Sequence, residues 1–109
     1  MSLVDAAGAI KFAAISESTA ATNEIVAAVT SRKIRILGLF LMAADTNTLT
    51  IEDEDGNDLI GPVTVDPNGG FVLPPNGLGW QETPLTKALH LLQSAANQVG
   101  GSITYQEIQ

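Results

Sequence analysis

Turn signals recur roughly every 8 to 12 residues along this chain, and the runs between them alternate apolar with polar side chains. That spacing leaves little room for helices and prescribes short strands joined by tight corners. Ile10, Phe12 and Ala14 alternate with Lys11, Ala13 and Ile15, so a first strand has one more apolar face. A polar loop of small residues, Ser16 to Asn23, leads to a second strand over Glu24–Val29, and Thr30-Ser31-Arg32 turns into the most apolar run of the chain. That run, Lys33 to Ala43, begins by alternating and becomes apolar on both faces. It is expected to be a central strand, buried on both sides or covered on one side by the core and on the other by a neighbouring subunit. A buried helix competes, but the β-branched start and Gly38 disfavour it.

The second half follows the same grammar. Leu49 and Ile51 oppose Thr48, Thr50 and Glu52 in a half-exposed strand, and Asp55-Gly56 marks a hairpin into Leu59–Val65. Pro62 cannot donate to a ladder, which puts that strand at an edge or a bulge. Asp66 to Gly70 is a dense turn, Phe71-Val72-Leu73 a short strand, and Pro74 to Gly77 a rigid corner. Lys87 to Ser94 fits a short helix through Leu85, Ala88, Leu89 and Leu92, or a strand through Leu89 and Leu91; the strand is preferred for the company it keeps. Ser102 to Ile108 closes the chain as an alternating strand after Gly100-Gly101. Seven to nine such strands point to an all-β, single-domain β-sandwich over residues 10–109, with jelly-roll topology the expected connection and residues 1–9 an N-terminal arm.

Charge and composition then exclude several functions. The 109 residues carry a net charge of −7 with five cations, which argues against a nucleic-acid partner. No cysteine is present, so no disulfide framework or thiolate metal site exists. No apolar run is long enough for a membrane-spanning helix, and the N-terminus lacks the pattern of a signal peptide, so the chain is expected to be soluble and unprocessed. Hydrophobic residues make up 45% and charged residues only 16%, a surface poor enough in charge to expect that some apolar area meets another subunit.

Catalytic and metal-binding candidates are few. His90 is the only histidine, and a metal there would need carboxylates from elsewhere; a structural or interface role is expected instead. Glu52 to Asp58 has the composition of a calcium loop but not the spacing, and is expected to be a solvated hairpin tip. The serines and threonines lack a motif-like base, and the glycine pairs lack the lysine and helix of a phosphate loop. No enzyme activity and no cofactor are expected. Trp80 could stack on a sugar or a base, but its setting favours a packing anchor, and most of the five aromatics sit at apparent core positions.

Taken in order, Glu24–Val29, Lys33–Leu37, Asn68-Gly69-Gly70 with Leu73-Pro74, Asn76 to Trp80, Ala88 to Leu91 and Gly100 to Tyr105 resemble a family of small β-sandwich virion structural proteins of tailed bacteriophages. The resemblance implies a head decoration (cement) protein that sits on the capsid as a trimer, made in the host cytoplasm and located in the virion. It carries no catalytic residues. Partners would then be further copies of the chain and the major capsid protein or another virion protein, and the candidate interface residues are Lys33, Arg35, Phe40, Trp80 and His90, with the arm Met1 to Ala9 aiding docking. A receptor- or carbohydrate-binding module of a tail or fibre is the alternative.

Overall fold

In a computed structural model, which describes residues 8–109, the chain forms nine strands in two antiparallel sheets. They are β1 (Ile10–Glu17), β2 (Thr22–Val26), β3 (Lys33–Ala43), β4 (Asn47–Asp53), β5 (Asp58–Val65), β6 (Gly70–Leu73), β7 (Gln81–Glu82), β8 (Leu89–Gln93) and β9 (Val99–Ile108). One sheet has the order β1-β9-β3-β6, with β7 also pairing to β3; the other has the order β2-β8-β4-β5. The chain changes sheet between β1 and β2, β2 and β3, β3 and β4, β5 and β6, β7 and β8, and β8 and β9, and stays within one sheet at the β4–β5 hairpin and between β6 and β7. The all-β sandwich expected from the alternation is therefore what forms, and the Lys87–Ser94 ambiguity resolves as strand β8. The first six residues of the expected arm and Ala7 lie outside the described residues; Gly8 lies against β9, where its carbonyl accepts from Gln106 Nε2 at 3.3 Å.

The core lies between the sheets. Ile34, Ile36, Leu39 and Leu41 of β3 and Val99 and Ile103 of β9 meet Leu49 and Ile51 of β4 and Leu89 and Leu91 of β8. Each such side chain stabilises the fold by about 1.5–3 kcal/mol relative to leaving it in water. The two-sided apolar character of Lys33–Ala43 has a local cause. Opposite β9, Ile36 pairs with Tyr105 and Gly38 with Thr104, so Leu37 is an extra residue in a bulge. The inward positions change from even (Ile34, Ile36) to odd (Leu39, Leu41, Ala43), and Leu37 is buried at the switch. Phe40 and Met42 consequently turn outward.

Local chemistry sets the remaining edges. Asn23 donates to the carbonyls of Thr19 and Ala21, both at 3.1 Å, and this tight cap starts β2 at Thr22 rather than Glu24. The strand also ends earlier than expected, at Val26, after an irregularity between Glu24 and Val26. Pro62 lies on β5, an edge strand, within the register shift between Leu49 and Ile51, so both sequence explanations for this proline hold. Asn47, 2% exposed, clamps the start of β4 to the chain after β8: its Oδ1 accepts from the amides of Ser94 and Ala95 at 3.1 Å, and its Nδ2 donates to Gln93 Oε1 at 3.1 Å.

Candidate interaction surface

Residues directly opposite in an antiparallel ladder share a face, so the register reads out the outer surface of the β1-β9-β3-β6 sheet row by row. One row is Ile10, Gln106, Arg35 and Glu82. The next is Phe12, Thr104 and Gly38, followed by Ala14, Ser102, Phe40 and Val72, and then Ser16, Gly100, Met42 and Gly70. Apart from the Arg35–Glu82 pair at one end, none of these residues is charged. Exposure of Ile10 (57%), Phe12 (76%), Phe40 (41%), Met42 (44%) and Val72 (59%) makes the face apolar and open to solvent. Five of the eight large apolar side chains exposed among the described residues gather here. Two apolar groups, Ile10 and Phe12 on β1 and Phe40, Met42 and Val72 on β3 and β6, thus flank β9, and apolar surface gathered on one face of a small protein is the kind that association covers.

The face also has relief. Its middle strand β9 presents only Gly100, Ser102, Thr104 and Gln106, and β9 can approach β3 closely because a Cβ at Gly101 would stand 1.8 Å from the Phe40 carbonyl oxygen. Phe12 rises beside this low strip on the β1 flank. On the other flank lies a shallow groove of about 160 Å³ lined by Gly38, Phe40, Val72, Pro75, Ser102 and Thr104. The bulge at Leu37 puts Gly38, with no side chain, at the groove floor.

The residues expected to form an interface do not come together. Phe40 lies centrally on the apolar face. Arg35 and Lys33 lie at its end and face Glu82 of β7, with Arg35 Nε and Nη2 both 2.8 Å from Glu82 Oε2 and Lys33 Nζ 3.9 Å from Oε1. Trp80 ends the loop between β6 and β7, where its amide donates to Ile36 O at 2.8 Å and its Nε1 to Pro74 O at 2.9 Å. Both bonds fit the anchor expected of it. His90 sits on the outer face of the other sheet, in register between Glu24 of β2 and Glu52 of β4. Ile10, Phe12, Met42 and Val72 were absent from the expected set, and the expectation that most aromatics are core residues does not hold: none of the five is fully buried. The bulge explains Phe40, while the apolar face of β1 is its outer one because Ala13 and Ile15 supply the inward side.

The opposite sheet differs in kind. Its outward positions include Thr22, Glu24, Thr48, Thr50, Glu52, Thr64, His90 and Leu92, with Thr22 Oγ1 3.3 Å from Glu52 Oε1 and the Thr48 and Thr64 hydroxyls 3.0 Å apart. Thr50 and Glu52 are nevertheless buried, so β4 is not the half-exposed strand expected: its neighbours on both sides cover its outward side chains as well. The acidic tip between β4 and β5 is less free than a solvated hairpin end. Burial raises the pKa of the Asp53 carboxyl, but hydrogen bonds from the Asn57 backbone and side chain and from the amides of Asp55 and Gly56 outweigh it and hold the group below its ordinary value. Glu54 Oε1 accepts from the Ala88 amide at 3.1 Å, and Asp55 pairs with Lys87 at 3.2 Å, so the tip is tied to the loop before β8. Donors from the chain itself thus occupy Asp53, Glu54 and Asp55, three of the carboxylates a cation would need. Among the described residues no group of three His, Cys, Asp or Glu is placed to hold a metal ion, and no helix is long and apolar enough to cross a membrane. Comparison with protein-family models, with curated proteins and with solved structures finds no match to this chain.

Proposed function

We propose that this protein is a structural subunit of a phage virion, a capsid decoration (cement) protein that sits on the head surface as a homotrimer and stabilises the shell. The observation that carries the reading is the uncharged, apolar outer face of the β1-β9-β3-β6 sheet on a chain of net charge −7. A surface of this kind serves association and offers no group for chemistry. The strand order adds support. With β7 set aside, two four-stranded sheets exchange the chain at every connection except β4–β5, which supports a jelly-roll reading, an architecture used in viral coats.

A decoration subunit works through area and number. Each copy bridges neighbouring capsid subunits, and modest contacts repeated over a shell sum by avidity into resistance to internal pressure. The polar opposite sheet and the tied acidic tip then form the solvent side. An antibody raised against the purified protein, applied to particles made by the genome that encodes it, is expected to label the head over its whole surface. Labelling confined to tail tips or fibres would favour the receptor- or carbohydrate-binding alternative, and unlabelled particles would refute a virion role.

A further inference from the structure

We infer that the apolar face is a self-association surface on which Phe12 of one copy seats in the Gly38–Val72–Pro75 groove of the next. The inference deepens the proposed function by naming the contact between copies, and it stands or falls separately from the virion role. Three observations converge on a second copy as the occupant.

The first is relief. Phe12 is a ridge on the β1 flank, and the groove lies beyond it over β9, β3 and β6, with Ser102 and Thr104 of the low strip forming its near wall. Phe12 and Gly38 also lie in the same row, either side of Thr104, so ridge and groove stand at the same height along the strands. Turning two copies face to face over β9 therefore aligns each ridge with the other's groove. When copies instead surround a common axis, the ridge of each meets the groove of its neighbour and the contact closes into a ring.

The second is charge. With a net charge of −7, copies repel unless they meet where no charge is exposed. The rows from Phe12 to Ser16 and their partners form such a place, and one end is marked by Arg35 and Lys33 set against Glu82. A basic partner would need acids on this face, and there are none in those rows.

The third is size. Three strands of roughly seven residues and the four-residue β6, about 4.8 Å apart at about 3.3 Å per residue, give a face of about 390 Å². Covering it on both copies removes about 800 Å² before side-chain relief is counted, against the roughly 1,000 Å² a specific interface needs. The relief between Phe12 and the groove supplies the remainder.

The absence of cysteine makes the test direct. In a Phe12→Cys, Val72→Cys double variant the two thiols lie three strands apart, about 14 Å, too far to bridge within one chain. Mild oxidation is expected to give covalent oligomers from the double variant and monomers from either single variant. Phe12→Glu, at a position exposed in the monomer, is expected to raise the dissociation constant by roughly 30-fold or more with an unchanged β-sheet circular-dichroism spectrum. A wild-type protein that stays at 11.4 kDa at high concentration, or an oligomer indifferent to Phe12→Glu, would overturn the contact. Head labelling together with an oligomer indifferent to Phe12→Glu would sink the inference and leave the proposed function standing; a Phe12-dependent oligomer missing from particles would do the reverse.

Discussion

Asn47 and Gln93 are buried neighbours joined by one hydrogen bond, yet their removal should have opposite consequences. Asn47 satisfies five partners: it accepts from Ser94 N (3.1 Å), Ser94 Oγ (3.3 Å) and Ala95 N (3.1 Å), and donates to Gln93 Oε1 (3.1 Å) and Ala95 O (3.2 Å). Asn47→Ala orphans the Ala95 amide and Gln93 Oε1, while the Ser94 amide keeps its bond to Thr48 O. At about 1–3 kcal/mol for each buried group left unpaired, softened by water reaching the Ala95 side, the loss is about 3 kcal/mol. For a chain of this length that lowers Tm by about 12 °C. Gln93 is the contrasting case, because its Nε2 is the buried side-chain polar atom, among the described residues, that has no partner. Gln93→Met gives up one hydrogen bond of about 1 kcal/mol but removes an orphan costing about 1–3 kcal/mol, and the thioether fills a similar volume. The expected outcome is a stability change between zero and about +1 kcal/mol, read by urea unfolding followed through Trp80 fluorescence. In the double variant the penalty of Asn47→Ala should shrink, since Gln93 Oε1 no longer exists to be orphaned. An Asn47→Ala cost below about 1 kcal/mol, or a Gln93→Met cost above about 2 kcal/mol, would refute the accounting of partners.

Truncating the core should be expensive and truncating the outer face should not: Leu41→Ala, at a fully buried position, should cost about 3 kcal/mol, whereas Phe12→Ser should change monomer unfolding by under about 0.5 kcal/mol in urea titrations at dilute concentration. Because the Asp53 carboxyl is held below its ordinary value in the folded chain, the stability it contributes is complete above the unfolded value of about 3.9 and disappears as pH falls through the lower folded value. Stability measured from pH 5 down to pH 2 should therefore drop less steeply in Asp53→Asn than in the parent, and equal slopes would contradict the tip geometry. Glu82→Gln should cost no more than about 1 kcal/mol, with the difference from the parent vanishing in high salt, as expected of an ion pair open to solvent.

The fold was legible wherever one rule acted alone. Alternation in β4 and β9 and the Asp55-Gly56 hairpin needed only the period of two and a turn residue with positive φ, which Gly56 supplies at 86°. Lys33–Ala43 was legible as a central strand, but its facing was not, because a bulge shifts parity by one residue and nothing in Ile36-Leu37-Gly38 announces which residue is extra. That shift sends Phe40 and Met42 outward. The strand Ile10–Glu17 carried the complementary difficulty: its bulkier face is turned to solvent, while Ala13 and Ile15 serve the core. Sequence alone weighs bulk and cannot tell a core face from an outward one when both are apolar. The cations Lys33 and Arg35 attracted notice for their charge, yet the Glu82 that faces them lies 47 residues beyond Arg35, beyond the reach of local pattern.

The contrast between the two outer faces supports the proposal that another copy covers the apolar one. Both are outer faces of antiparallel sheets, and both need residues that suit a pleated backbone. On the β2-β8-β4-β5 sheet that need is met by Thr22, Thr48, Thr50 and Thr64, which are β-branched and compatible with water. Strand propensity therefore does not require Phe12, Phe40, Met42 and Val72 on the other sheet. Nor does the core, since inward positions on the same strands are filled by Ile15, Leu39, Leu41 and Phe71. Leaving the four in water forgoes about 25 cal/mol for each Å² of apolar surface that an association would remove. Replacing Phe12, Phe40 and Met42 together by threonine would give this face the chemistry of its counterpart. The expected product is a protein that folds with its two sheets intact and no longer self-associates; a triple variant that unfolds would instead assign these side chains to the stability of the monomer.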